Sequence, residues 1–216
     1  MSGNLLGNNC ASLSGRITSK PVFSHEVYGE GFYTVMVEVA RLSETYDILP
    51  VMFSERLLPL SEFKEGNTIA VEGQFRSYNN YSSTSSHKLL LTVFARDIVI
   101  SGPDNDFKIP NSIYLNGFIC KKPIYRTTPF GREIADLLLA VNRAYNKSDY
   151  IPCIAWGRNA RFASHFQVGD NIRIWGRIQS RNYQKKLPDG TVEDRVAYEV
   201  SISKIEVNKD DGEINE

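Results

Sequence analysis

The chain is poor in the residues that most often carry chemistry. Its 216 residues include only three cysteines, Cys10, Cys120 and Cys153, and three histidines, His25, His87 and His165. The cysteines are widely spaced and form no CxxC or Cys/His cluster, so neither a disulfide framework nor a zinc site is indicated. The sequence has no HExxH, no Ser/His/Asp order and no GxxxxGK[ST] loop, and Asp136 has no second carboxylate to work with; an enzyme is not expected, nor a metal or cofactor. Long apolar runs are missing, and Met1 to Asn9 lacks a basic start. No membrane span or signal peptide is therefore expected, and the location expected is cytoplasmic.

Net charge is absent as well, but only in total. Residues 1–102 carry 8 Lys+Arg against 10 Asp+Glu, whereas residues 111–207 carry 15 against 9. The second half is thus a basic module in a neutral chain, which attracts polyanions. The acidic end, 208–216, can compete with them.

What the chain does have is a copy of itself. Leu13 to Pro50 lies over Leu115 to Pro152 at a constant offset of 102 residues without a gap. The matches include Gly15/Gly117, Gly29/Gly131, Arg41/Arg143, Asp47/Asp149 and Pro50/Pro152. A fold laid down twice implies two modules. The expected division is a first domain over 1–102, a turn-rich linker over 103–110, a second domain over 111–207 and an acidic, disordered tail over 208–216.

Alternation of apolar residues runs through both copies, as in Tyr33-Val35-Val37-Val39 and Ile172-Ile174-Gly176-Ile178. Period two reads as half-buried antiparallel strands. In the second copy the pattern predicts strands near 112–121, 132–143, 149–156, 170–183 and 194–206, with a helix over Asn159 to Phe166. The first copy follows the same plan, with Glu55 to Phe63 in the helical place. Five strands with a helix between the third and fourth suggest a Greek-key barrel, the OB-fold. The expected class is therefore all-β: two tandem five-stranded barrels with a short helix in each. A plain five-stranded sheet would leave two long edges exposed.

The second copy interleaves rings with cations. Tyr145, Tyr150, Trp156 and Tyr183 stand among Arg143, Lys147, Arg158, Arg161, Arg177, Arg181, Lys185 and Lys186. Single-stranded nucleic acid requires both types, cations for phosphates and flat rings for bases of any identity. Each ring could instead be a core residue. For Trp156 the run Tyr150 to Trp156 is apolar on both faces, and parity puts Tyr150, Pro152, Ile154 and Trp156 on one of them. Trp175 alternates with Ile174 and so points outward, where a tryptophan more often marks a subunit contact than a base platform.

The second copy resembles the bacterial single-stranded DNA-binding proteins. The runs that carry the likeness are Ile113-Tyr114-Leu115-Asn116-Gly117, Leu139 to Arg143 with Tyr145, Ile154 to Ala160, Val168 to Ile172, Trp175 to Tyr183, and the Pro188-Asp189-Gly190 turn. The resemblance implies base stacking by Tyr145, Tyr150, Trp156 and Tyr183. It implies basic contacts by Arg143, Arg177 and Arg181, with Lys185 and Lys186 in the hairpin; Arg158 joins this set from the residues alone. It also implies assemblies of four barrels, hence a homodimer of this chain, and roles in replication, recombination or repair.

The first copy departs from the family pattern. Ser54 stands at the position of Trp156 and Ile48 at that of Tyr150. Tyr46, Tyr78, Tyr81 and Arg76 are what remains of a possible site there. This copy is expected to keep the fold and lose much of the affinity, in a structural or accessory role. Family members typically end in an acidic stretch with a Pro-Phe tip that recruits replication and repair proteins; the acidity is present here and the tip is not. Two other readings stay open, a replication or primosome assembly module held together by protein contacts, and an RNA-binding protein.

Overall fold

A computed structural model describes residues 7–80, 88–103, 107, 109–187 and 189–208, with backbone only at 79, 80 and 88. Tyr81 and the acidic tail beyond Asn208 lie outside the described residues.

The first copy supplies β1 (Asn9–Ile17), β2 (Val22–Val27), β3 (Glu30–Ala40), β4 (Tyr46–Ser54), β5 (Thr68–Asn80) and β6 (Lys88–Ser101). The second supplies β7 (Ser112–Ile119), β8 (Ile124–Thr127), β9 (Glu133–Asn142), β10 (Ser148–Trp156), helix α1 (Arg158–Ala163), β11 (Asn171–Lys186) and β12 (Val192–Val207). The strand order is β2-β3-β4-β6-β5-β1-β7-β11-β12-β10-β9-β8, and further β1–β3 and β7–β9 pairings close each half on itself. Each half is therefore a ring of five strands, the expected barrel, with Leu13, Val37, Leu49, Ile69 and Val93 inside one and Leu115, Leu139, Ile151, Ile172 and Val200 inside the other. Period-two alternation is what sends these residues inward.

A sixth strand is added to each ring, which the strand count from sequence lacks. β2 folds onto β3 through Tyr28 and Gly29, both at positive φ, the geometry of a tight hairpin turn. β8 folds onto β9 through a longer turn in which the Gly131 N–H donates to the Thr128 carbonyl at 2.9 Å. The helices differ too. The second copy forms α1 over an alanine-containing stretch, somewhat earlier than expected. The first forms no α-helix over Glu55 to Phe63, only a 3-10 turn at Leu60–Glu62. Pro59 is the reason: it has no N–H to donate and biases Leu58 away from helical backbone.

Gly73 and Gly176 let the long strands coil round the barrels. Each follows a register shift, and a Cβ on either would sit 2.2 Å from a carbonyl oxygen of the neighbouring strand, that of Phe94 or Ser201.

The two barrels are joined about a local two-fold. β1 and β7 pair antiparallel, Ala11 against Ile113, the same position in both copies. Within each barrel, beside this pairing, Asn9 exchanges two hydrogen bonds with the Phe75 backbone (2.8 and 2.9 Å), and its counterpart Asn111 does the same with Ile178 (2.7 and 3.0 Å). Beyond these clamps the repeated aspartates cross the seam. The Ser180 N–H donates to Asp47 at 2.6 Å, and the Ser77 N–H to Asp149 at 2.8 Å. Both carboxylates are fully buried.

Candidate nucleic-acid interface

The register of the second barrel decides which side chains share a face. Ile154 on β10 pairs with Ser201 on β12, and Ser201 with Arg177 on β11, so all three point the same way. Counting in twos, Tyr150, Pro152, Ile154 and Trp156 on β10 lie on one outer surface with Glu199 and Ser201 on β12 and with Arg177, Gln179, Arg181 and Tyr183 on β11. Asp149, Ile151, Cys153 and Ala155 take the inner side, and burial pushes the Cys153 thiol upward. Tyr150 and Trp156 are about 20 Å apart along the strand.

The four rings singled out from sequence are all accessible. Tyr145 is 94% exposed, while Tyr150, Trp156 and Tyr183 lie between 36% and 46%. Half exposure suits a platform, one side of the ring packed and the other open. Tyr145 is held at positive φ (60°) in the β9–β10 loop, a conformation a bulky side chain rarely adopts. The loop is closed beneath it by the Arg143 N–H donating to the Lys147 carbonyl at 2.7 Å. Trp175 also points outward, but its ring lies against Tyr114, with centroids 5.1 Å apart, and Lys204 Nζ sits 4.7 Å from it.

The cations fall into two groups. Lys185 and Lys186 are exposed at the end of β11, and Arg158 is exposed at the start of α1. Arg181 has its guanidinium 5.9 Å from the Tyr183 ring centre and an ion pair with Glu199 at 3.7 Å. Glu199 also accepts a hydrogen bond from Gln179 at 2.8 Å. Arg177 and Arg143 are committed to the seam. Arg177 donates to Asp47 of the first barrel at 3.2 Å, beside Arg41, whose guanidinium donates twice to the same carboxylate at 2.6 and 2.8 Å. Burial lowers the Arg177 pKa, and the hydrogen bond to Asp47 raises that of Arg41. Arg143 lies 3.4 Å from Asp149, too far for a hydrogen bond, and both its Nε and Asp149 Oδ2 are buried without one. Burial raises the Asp149 pKa accordingly.

In the first barrel Ser54, at the place of Trp156, is buried and donates its hydroxyl to Glu30. Tyr46 is exposed at the start of β4. Tyr78 is half-buried; burial raises its pKa and the nearby Arg76 offsets part of the rise. Arg76 stacks over Phe94 at 3.9 Å and donates to Gln74 at 2.8 Å. Sequence reasoning passed over Arg96 and the paired Asp47 and Asp149 as interface residues. The aspartates were visible as repeat positions, whereas Arg96 has no signature in the strand pattern.

Residues 110–208 match the Single-strand binding protein family. A single-stranded DNA-binding protein of Clostridium tetani is 38% identical over 88 residues, covering 38% of this chain and 59% of that protein. One from Listeria innocua is 37% identical over 81 residues, 34% of this chain and 51% of its own length. The chain thus spans about half the length of the curated relatives it matches. The crystal structure of a single-stranded DNA-binding protein from Thermus aquaticus superposes with a TM-score of 0.74 at 20% identity, covering 93% of each chain, which establishes the two-barrel fold.

Proposed function

We infer that this chain, whose residues 110–208 match the Single-strand binding protein family, binds single-stranded DNA without regard to sequence and protects strands exposed in replication, recombination or repair. One observation carries the reading: the β10-β12-β11 surface presents Tyr150, Trp156 and Tyr183 together with Arg181, and leads to the exposed Lys185 and Lys186. Rings stack on bases of any identity, and the cations displace counterions from phosphates. Glu199 holds Gln179 and Arg181 in place on that surface. Arg177 serves mainly to fasten the two barrels through Asp47.

Two chains would supply four barrels, so a homodimer is the assembly we favour; light scattering at the mass of one chain would rule it out. The binding test exploits the position of both tryptophans in the second barrel. Titration with oligo-dT is expected to quench fluorescence saturably, and less so as salt rises. A flat titration, with no change in anisotropy of labelled DNA, would refute the function.

A further inference from the structure

The seam between the barrels has two sides related by the local two-fold, and they differ in charge. On one side Arg41 and Arg177 converge on Asp47, whose carboxylate offsets one of the two charges and engages both guanidiniums. The other side opens into a cleft of about 310 Å³, to which the first barrel contributes Arg76 and Arg96 and the second Arg143, Tyr145 and Lys147. No carboxylate lines it among the described residues; Asp149 is buried next to Arg143.

The repeat shows how the difference arises. The positions of Tyr145 and Lys147 hold Ser43 and Thr45 in the other copy, and the pair Gln74/Arg76 is reversed as Arg177/Gln179. Arg96 is the extra residue of a β-bulge: Glu72 pairs with Asp97 and Gly73 with Ala95, so Arg96 has no partner across the ladder. Its counterpart, skipped in the same way on β12, is Ser203. A bulge turns a side chain away from the ladder direction, and here the turned side chain is a cation at the cleft. Arg76 is oriented by Phe94 and Gln74, and the Arg143 Nε–H is buried with no acceptor.

We propose that this cleft seats the phosphodiester backbone of a bound single strand and passes the strand from the second barrel to the first, with Tyr145 as a stacking platform at its mouth. The proposal rests on the single-strand-binding reading and extends it to a defined crossing point. The first barrel then contributes cations to the path, although its own face has lost the ring at Ser54.

The test uses the full chain with Arg96→Ala, Lys147→Ala and the double variant, all at exposed positions. Binding of an oligo-dT of about 35 nucleotides, longer than the ~4–16 one OB-fold covers, is followed against salt concentration. Each substitution should make the log K against log[salt] slope shallower by about 0.7, and the pair by about 1.4, while tryptophan quenching persists. Lys64→Ala, a cation outside the cleft, should leave the slope unchanged. Unaltered slopes with quenching intact would overturn the crossing point and leave the second-barrel site standing. An equal effect from Lys64→Ala would overturn it as diffuse charge. Failure of the unaltered protein to bind would remove the function and the crossing point together.

Discussion

The repeated aspartates invite a paired experiment, because the same residue in the same local structure is held differently in the two copies. Asp47 accepts five hydrogen bonds: two from Arg41 (2.6 and 2.8 Å), one from Arg177 (3.2 Å), and two from Ser180, the N–H at 2.6 Å and the hydroxyl at 3.1 Å. Asp47→Asn puts an amide N–H₂ where a guanidinium donates and leaves two cations without their counter-charge. Breaking a buried pair costs about 3–5 kcal/mol. The side chains of Arg41 and Arg177 are 27% and 37% exposed and can recover some hydration, so the lower end, about 3 kcal/mol, is expected. For a chain of this size that lowers Tm by about 6–12 °C. Asp149 makes an ion pair with Arg143 alone, since Gln74 stands where Arg177 does in the other copy, and Arg76 acts on it only through its field. Asp149→Asn keeps the acceptor for the Ser77 N–H and gives up one 3.4 Å contact, so its cost should stay within about 1 kcal/mol. Urea midpoints of the two variants measure the contrast. Equal losses would refute the claim that the seam is fastened more strongly at Asp47 than at Asp149. The dependence on pH adds a sign. Burial holds the Asp149 carboxyl above its ordinary range, so its stability contribution is complete below the unfolded value near 3.9 and is lost as pH rises through the folded one. Asp149→Asn should therefore compare more favourably with the unaltered protein at neutral pH than at acid pH.

Trp156→Ala and Tyr183→Ala are each expected to weaken oligonucleotide binding by about 1–3 kcal/mol; unchanged affinity in folded variants would remove those rings from the interface. Tyr145→Gly removes a platform and relieves a positive-φ backbone, so affinity should drop by about 1–3 kcal/mol with no loss in Tm; a lower Tm would show that the ring supports the fold. Gly176→Ala forces a Cβ to within 2.2 Å of the Ser201 carbonyl, and destabilisation by at least about 1–3 kcal/mol should appear in a thermal melt.

The sequence by itself determined what depends on local pattern. The 102-residue repeat, the period-two strands and the ring-and-cation composition of the second half were all present in residue order; they suffice for two barrels, and the composition is what the proposal of a polyanionic partner starts from. Local signals also had limits. Tyr28-Gly29 is a two-residue turn with a bulky first member, so the hairpin of β2 escaped the strand count; β8, only four residues long behind a longer turn, escaped it too, and Pro59 cancelled a helix that repeat symmetry suggested. Parity could place Trp156 on the same side as Tyr150 but could not say which side faced solvent. Only the tertiary structure decided how the copies meet. Arg177 reaches Asp47 across 130 residues of sequence, and no periodicity predicts that an arginine on one barrel pairs with an aspartate of the other. The cationic cleft has the same origin. Arg76, Arg96, Arg143 and Lys147 are ordinary surface charges in the sequence, and they become one site because the β1–β7 pairing brings two closed barrels face to face and a bulge turns one arginine into the gap.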